Sequence, residues 1–320
     1  MGLSFLTPVA AIFGLLAAVP LAVFAGRQRR SRHVRAALGL THAGSVRSWL
    51  LLALCLAAVP VLVGVAAAQP VITSTRTVPQ RSDAEVFVVV DTSRSMLASG
   101  GSGEPTRFGR AQDDAIALQE ELEEVPLGIA SFTDRVLPHL FPTVDQRVFQ
   151  ETTREAVGIE RPPPSTSFGT NVTTLDALGV VPTLAFFTPT VDKRALVVFT
   201  DGESQSVSTL GTDFAREPDV DVIFVRMGDG GERIWESGVA EAAYTPDPAA
   251  TTTLESAAAA VDGRVLEEGR VSEAAAAVRT AIGAGPTTPR RIEGNRQALM
   301  PYVALLVIIP LGFVVYRRNL

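Results

Sequence analysis

Asp91, Ser93 and Ser95 stand in the run Asp-Thr-Ser-Arg-Ser-Met, directly behind an apolar stretch from Glu85 to Val90. Far along the chain, Gly169-Thr170-Asn171 heads a helical pattern, and Val197-Val-Phe-Thr-Asp-Gly202 puts Asp201 at the end of a second apolar stretch. Two carboxylates and three hydroxyls form an oxygen-only donor set, the kind that hard divalent cations take. Mg²⁺ wants six oxygens in near-octahedral array and keeps several waters; Mn²⁺ and Ca²⁺ accept the same donors. Asp91 and Asp201 balance the charge of such an ion, and a position left open attracts a carboxylate from elsewhere. The competing use is capping, because Ser, Thr and Asp after a strand bond nearby backbone amides. Five such residues converging on two strand ends favour the cation.

Other chemistry finds less support. His33 and His42 lie in an Arg-rich loop and His139 sits between Pro138 and Leu140 in an edge strand, so none is placed to activate Ser93 or Ser95. Gly100-Gly101-Ser-Gly103 lacks the Lys of a phosphate-binding loop. Cys55 is the single cysteine and falls in an apolar stretch, which leaves neither a disulfide framework nor a thiol catalyst. Asn171-Val-Thr173 fits a glycosylation sequon, yet a glycan beside Thr170 is incompatible with a metal there. Glu203 reads as a residue that orients waters around the ion, and Arg94, facing away when Ser93 and Ser95 face in, as a contact for an acidic partner.

The elements that position these groups alternate. Strands are expected at 85–91, 126–132, 135–141, 193–200, 219–225 and 263–266, and helices at 107–124, 146–157, from Asn171 through Leu175, Leu178 and Val181, at 252–261 and at 272–282. In the first helix Phe108, Ala111, Ala115, Leu118 and Leu122 recur at helical spacing. Thr133-Asp134 is too short for a crossover and makes a hairpin, hence one antiparallel strand at the edge. Leu97 to Pro105 is a Gly- and Ser-rich exposed loop. The expected fold is α/β, a doubly wound, mostly parallel central sheet with helices on both faces, whose ligands meet outside the carboxyl ends of the strands.

Three further stretches, Leu3 to Ala25, Trp49 to Ala68 and Ala298 to Tyr316, are uncharged and apolar all round, near the ~20 residues that cross a bilayer as helix. Arg27, Arg29, Arg30, Arg32, Arg35 and Arg47 crowd the loop between the first two, and Arg317 and Arg318 follow the third. The positive-inside rule places both basic segments in the cytoplasm and the rest outside. The domain layout is therefore 1–25 first transmembrane helix, 26–48 Arg-rich cytoplasmic loop, 49–69 second transmembrane helix, 70–82 linker, 83–285 extracytoplasmic domain, 286–297 linker, 298–316 third transmembrane helix and 317–320 cytoplasmic tail. Ala66-Ala67-Ala68 resembles a cleavage site, and the third span holds the domain to the membrane whether or not it is cut. All 34 acidic residues fall outside, against twenty Lys and Arg, a formal charge of −14 that repels nucleic acid.

The pattern Asp-x-Ser-x-Ser with a distant Thr and a distant Asp resembles the metal-ion-dependent adhesion site of the von Willebrand factor A family, matched at Asp91, Ser93, Ser95, Thr170 and Asp201. The resemblance runs from about Ser82 to Gly283 and implies a non-enzymatic module in which the metal coordinates an acidic residue of a partner protein. The order of spans, with Leu38-Gly39-Leu40 in the basic loop, looks like the membrane-bound Bat-type bacterial proteins associated with MoxR-family ATPases, which implies a membrane assembly. An extracellular adhesin is the alternative within binding proteins. A strand ending in Asp91-Thr-Ser also resembles the haloacid-dehalogenase phosphatases, but Ser93 stands where their general acid belongs and cannot donate a proton usefully near neutral pH.

Overall fold

The structure, a computed structural model, describes residues 2–38, 46–160, 173–205, 207–216 and 219–318. It divides into two units, Met1–Thr77 with Arg291–Leu320, and Val78–Arg290.

In the first unit, β1 (Gly2–Phe5) and a 3₁₀ segment (Pro8–Ala17) lead into α1 (Ala18–Ala37); α2 (Val46–Ala67) follows, then β2 (Pro70–Arg81). Among the described residues three helical stretches are long and apolar enough to cross a membrane: Pro8–Ser31, Leu50–Ala67 and Met300–Arg317. Leu15, Leu54 and Ile309 are among their many exposed apolar side chains, as expected of helices whose solvent is lipid. The first apolar stretch was expected to be helical from Leu3. Instead Gly2 to Phe5 pair antiparallel with Thr73 to Pro70, so the helical part begins at Pro8, where proline suits a first turn.

The second unit is built on a six-stranded sheet. Its strands are β3 (Ala84–Asp91), β4 (Leu127–Phe132), β5 (Val136–Thr143), β6 (Lys193–Thr200) and β7 (Val220–Arg226), then, after a two-stranded hairpin β8 (Trp235–Glu236) and β9 (Val239–Ala240), β10 (Arg264–Glu267). Spatial order is β10-β7-β6-β3-β4-β5, parallel except for β5, which returns antiparallel to β4 at the edge. From β3 the chain goes to β4 on one side and later to β6 on the other. The strand order therefore reverses between β3 and β6, which opens the crevice at their carboxyl ends.

Alternation along β3 divides the core. Val86, Val88 and Val90 face α3 (Arg107–Glu121), α4 (Gln146–Glu155) and α8 (Val271–Ile282), packing with Ala111, Leu118, Phe149 and Val278. Phe87 and Val89 face the other layer, a 3₁₀ turn (Leu175–Gly179), α5 (Val180–Thr183), α6 (Leu210–Phe214) and α7 (Ala250–Ala260), among Leu178, Phe214 and Leu254. Both faces of β3 are buried, which is why its sequence is a continuous apolar run. Phe87 stacks edge-on with Phe186 at 5.2 Å and Phe187 at 5.8 Å between ring centroids. The ring sits under Gly128 of β4, where an added Cβ would come within 2.7 Å of it.

At the far end of the sheet Arg81 ties the incoming chain to the outgoing one: Nη1 donates to the Gly283 carbonyl at 2.8 Å, Nη2 to that of Ile282 at 3.3 Å and Nε to Asp83 at 2.9 Å. These carbonyls end α8 and lack helical partners of their own. Beyond α8 the segment read as a linker forms β11 (Thr287–Ala298), followed by α9 (Met300–Leu306) and α10 (Ile308–Arg318). In its sheet β2 lies between β1 and β11, and this pairing rather than any apolar alternation makes β11 a strand. The helix expected from Asn171 starts outside the described residues, and its described part is the 3₁₀ turn and α5.

Candidate metal centre

Asp91 is the last residue of β3 and is fully buried. Its Oδ1 accepts from the Ser93 amide at 2.8 Å and from Thr173 Oγ1 at 3.4 Å, while Oδ2 accepts from Thr200 Oγ1 at 2.6 Å. Thr92 turns the other way, donating to the Phe132 carbonyl, which leaves Ser93 and Ser95 on one side with their hydroxyls 2.9 Å apart. Ser93 then precedes the short turn Arg94–Leu97 without capping it by its side chain. The helix-cap explanation thus fails for Ser93.

Asp201 follows the adjacent parallel strand β6 and is buried too. Its Oδ1 accepts from the Glu203 amide at 3.0 Å. Gly202 between them has φ +80°, and an added Cβ would meet the Ala250 carbonyl at 2.7 Å, so the turn that presents Asp201 depends on glycine twice over.

Burial, and next the charge of Asp201, push the Asp91 carboxyl up to about 7, against the hydrogen bonds from Thr200 and Ser93 that favour its ionised form. Two buried carboxylates, the charge of one raising the pKa of the other, stand beside the paired Ser93 and Ser95 hydroxyls as an oxygen-only donor set. A hard divalent ion would fit that chemistry, and Asp91, Ser93, Ser95 and Asp201 are the described residues that could hold it. Thr170, the fifth expected ligand, lies outside the described residues, as does Asn171. Thr173, three positions on and read in the sequence only as the end of the Asn171-Val-Thr173 sequon, bonds Asp91 directly. Among the described residues no three His, Cys, Asp or Glu side chains gather as a metal cluster.

The main residue missed by sequence reading is Arg107, at the start of α3 and only 2% exposed. Its Nη1 donates to Asp201 Oδ2 at 3.0 Å and is shared with Glu203 Oε1 at 3.2 Å and the Tyr244 hydroxyl at 3.1 Å. Nε reaches Glu232 at 2.6 Å and Nη2 the Asp229 carbonyl at 3.0 Å. Burial works to lower the Arg107 pKa, but the charge of Asp201 and the bond to Glu232 outweigh it and the net shift is upward. Glu203 is shifted upward by burial and by Asp201, and Tyr244 by burial and its bond to Glu203. Glu203, expected to orient waters, is instead tied to Arg107 and to the Tyr244 hydroxyl, which donates to it at 2.7 Å. Arg94, expected to await an acidic partner, already holds Glu241 of its own chain through two bonds of 2.9 and 2.5 Å. His139 pairs with Ser131 at 2.8 Å, within the sheet and with Ser131 fully buried, rather than with Ser93 or Ser95.

The sequence profile of the von Willebrand factor type A domain matches residues 86–203, a span that starts in β3 and ends just past Asp201. No curated protein sequence matches the chain. Among solved structures, an aerotolerance-related membrane protein of Bacteroides fragilis with multiple mutations to serines is 21% identical, covering 62% of this chain and 98% of that one at a TM-score of 0.48. The protein BatB of Bacteroides thetaiotaomicron is 20% identical over 62% and 97% with a TM-score of 0.49. Proximal thread matrix protein 1 of the mussel byssus, solved with a zinc-occupied MIDAS motif, is 14% identical over 69% and 50% with a TM-score of 0.42. With its profile match over residues 86–203 and its β10-β7-β6-β3-β4-β5 sheet covered by helices on both faces, the second unit has an α/β fold of the von Willebrand factor type A kind.

Proposed function

We propose that this protein is a membrane-anchored binding module in which a divalent cation, Mg²⁺ first and Mn²⁺ or Ca²⁺ as substitutes, captures a carboxylate of a partner protein. One observation carries the reading: Asp91 and Asp201 are buried at the ends of adjacent strands, with the Ser93 and Ser95 hydroxyls together beside Asp91. Asp91, Ser93, Ser95, Thr170 and Asp201 are the proposed ligands. When bound, the ion supplies a Lewis-acidic position for an oxygen of the incoming acid.

The protein's own residues do the rest. Thr200, Thr173 and the Ser93 amide fix Asp91, and Arg107 fixes Asp201, so little ordering is left to the moment of binding. No proton transfer or covalent step is assigned to them, and the module is proposed to act by binding alone. Three apolar helices anchor it, with the domain at 83–285 outside and the Arg-rich loop and tail in the cytoplasm. The arrangement of spans supports a place in a Bat-type membrane assembly with a MoxR-family ATPase, reached through the cytoplasmic loop, the tail or another membrane protein.

The test is a pull-down from detergent-solubilised membranes with wild type and with Asp91→Ala plus Thr170→Ala, in Mg²⁺ and in EDTA. A partner retained only by wild type in Mg²⁺ supports capture through the cation; the same partners in all four conditions would overturn it.

A further inference from the structure

Segments 26–48 and 317–320 hold eight arginines and no Asp or Glu. The structure gathers them at one end of the first unit. α1 runs on past its apolar part to Ala37, α2 packs against both α1 and α10, and the paired strands β2 and β11 lead from α2 and into α9 at the opposite end. Arg47 at the head of α2 and Arg317 at the close of α10 therefore stand at the same end as Arg27, Arg29 and Arg30 of α1. No acid precedes Asp83 or follows Glu293 in the chain, so this end has no counter-charge of its own.

Height decides what meets these groups. The 10 residues of the 3₁₀ segment from Pro8 rise about 20 Å, and the α-helical turns from Ala18 to Arg27 a further ~15 Å. Arg27 thus stands about 35 Å from Pro8 along the axis and Arg30 about 39 Å. A hydrocarbon core is about 30 Å thick, and a bilayer with its headgroups about 40–45 Å. With Pro8 at one edge of the core, a tilt of about 20° puts Arg27, Arg29 and Arg30 about 33–37 Å away, in the headgroup layer of the far leaflet. All three are exposed. At about 100° per residue they fall at about 0°, 200° and 300° round the axis, a collar rather than a stripe. A collar suits a helix standing upright among headgroups, whereas a helix lying in the interface gathers its charges on one side.

We infer that this end of the bundle binds anionic phospholipid, with the guanidinium groups of Arg27, Arg29 and Arg30 paired to lipid phosphates. An arginine fork takes two phosphate oxygens at once, and a lipid of net negative charge brings no ammonium of its own to compete. An acidic protein would have to enter the headgroup layer to meet the same three groups, while the phosphates are already at that depth. The site rests on the membrane reading of the three helices and is independent of the metal.

Trp49, in the first turn of α2, is a built-in reporter at this end, and the other tryptophan, Trp235, belongs to the second unit. The experiment places the full chain in phosphatidylcholine vesicles with an equal minor fraction of either brominated phosphatidylglycerol or brominated phosphatidylcholine, and reads quenching of tryptophan fluorescence. In wild type, phosphatidylglycerol should quench as though enriched about fivefold over phosphatidylcholine, an enrichment that shrinks as NaCl rises. Arg27→Gln with Arg29→Gln and Arg30→Gln should bring it below about twofold while quenching by brominated phosphatidylcholine stays unchanged. The same loss of charge on β2 and β11, by Arg76→Gln with Arg290→Gln and Arg291→Gln, should leave it intact. Equal quenching by the two lipids in wild type would overturn the site and leave the arginines to an acidic protein, and a preference that survives the α1 triple variant would overturn it as well. A preference lost in inorganic phosphate but kept in NaCl of the same ionic strength would assign the collar to soluble phosphate instead. Absence of quenching by either lipid would overturn the membrane reading and this site with it, without touching the metal centre.

Discussion

Arg107 is the residue on which the site's internal structure depends most. Replacing it with Ala removes a guanidinium that serves Asp201, Glu203, Glu232, Tyr244 and the Asp229 carbonyl, and leaves Asp201, its side chain 1% exposed, without its cation, while Glu232 keeps Arg110 at 2.6 Å. Removing one partner of a buried charge pair costs about 3–5 kcal/mol, because the other charge stays behind without water or counter-ion. For a domain of this size each kcal/mol shifts the melting temperature by about 2–4 °C, so Arg107→Ala should melt about 6–20 °C below wild type. Arg107→Lys keeps the charge but loses the planar fork, and should fall between the two. The assay is thermal unfolding of the purified full chain in detergent, followed by tryptophan fluorescence. A double-mutant cycle with Glu232→Ala should give a coupling above about 1 kcal/mol, since the two side chains are in direct contact. Arg107→Ala melting within 2 °C of wild type, or a cycle that is additive, would refute the reasoning.

Further outcomes follow from the packing around the site. Phe87→Ala should destabilise the domain by about 3–5 kcal/mol in denaturant unfolding, because the ring is fully buried and pairs with two others. Gly202→Ala should lower the melting temperature, and should weaken Mn²⁺ binding more than a comparable destabilisation elsewhere, since the strained turn carries Asp201. The bond from Arg81 holds the Asp83 carboxyl below its ordinary value of 3.8, so the folded state binds its proton less readily than the unfolded chain. That contribution is full above pH about 4 and is lost as the pH falls through the lower folded-state pKa. Wild type should therefore exceed Asp83→Asn in stability at neutral pH, with the gap closing during acid titration.

The parts of the fold that a sequence displays best are those whose residues decide their own environment. β3 and β6 are buried on both faces, so their apolar runs mark them directly, and β6 spans Lys193–Thr200 as expected. Asp91, Ser93 and Ser95 are legible because they share one loop, and Asp201 because it ends an equally plain strand. Arg107 is the opposite case: at the head of an amphipathic helix it reads as a solvated charge, and its burial is imposed by acids about a hundred residues away. The Thr106 hydroxyl, which accepts from the Gly109 amide, caps the helix start and says nothing of the fate of the arginine. Strands β8 and β9 have two residues each, too few for alternation to show, although Ser237-Gly238 is a usable hairpin signal. β2 and β11 owe their conformation to pairing in a sheet, and neither has an apolar rhythm that stands alone.

The most direct test of a cation at this site is a Mn²⁺ titration of the purified full chain, followed by electron paramagnetic resonance, with Mg²⁺ as competitor. Wild type should bind one Mn²⁺ displaceable by Mg²⁺, and Asp91→Ala and Thr170→Ala should each abolish or greatly weaken that binding while the chain stays folded by circular dichroism. Mn²⁺ binding of unchanged affinity in both variants, or none in wild type, would contradict the assignment of Asp91, Ser93, Ser95, Thr170 and Asp201 as a metal site.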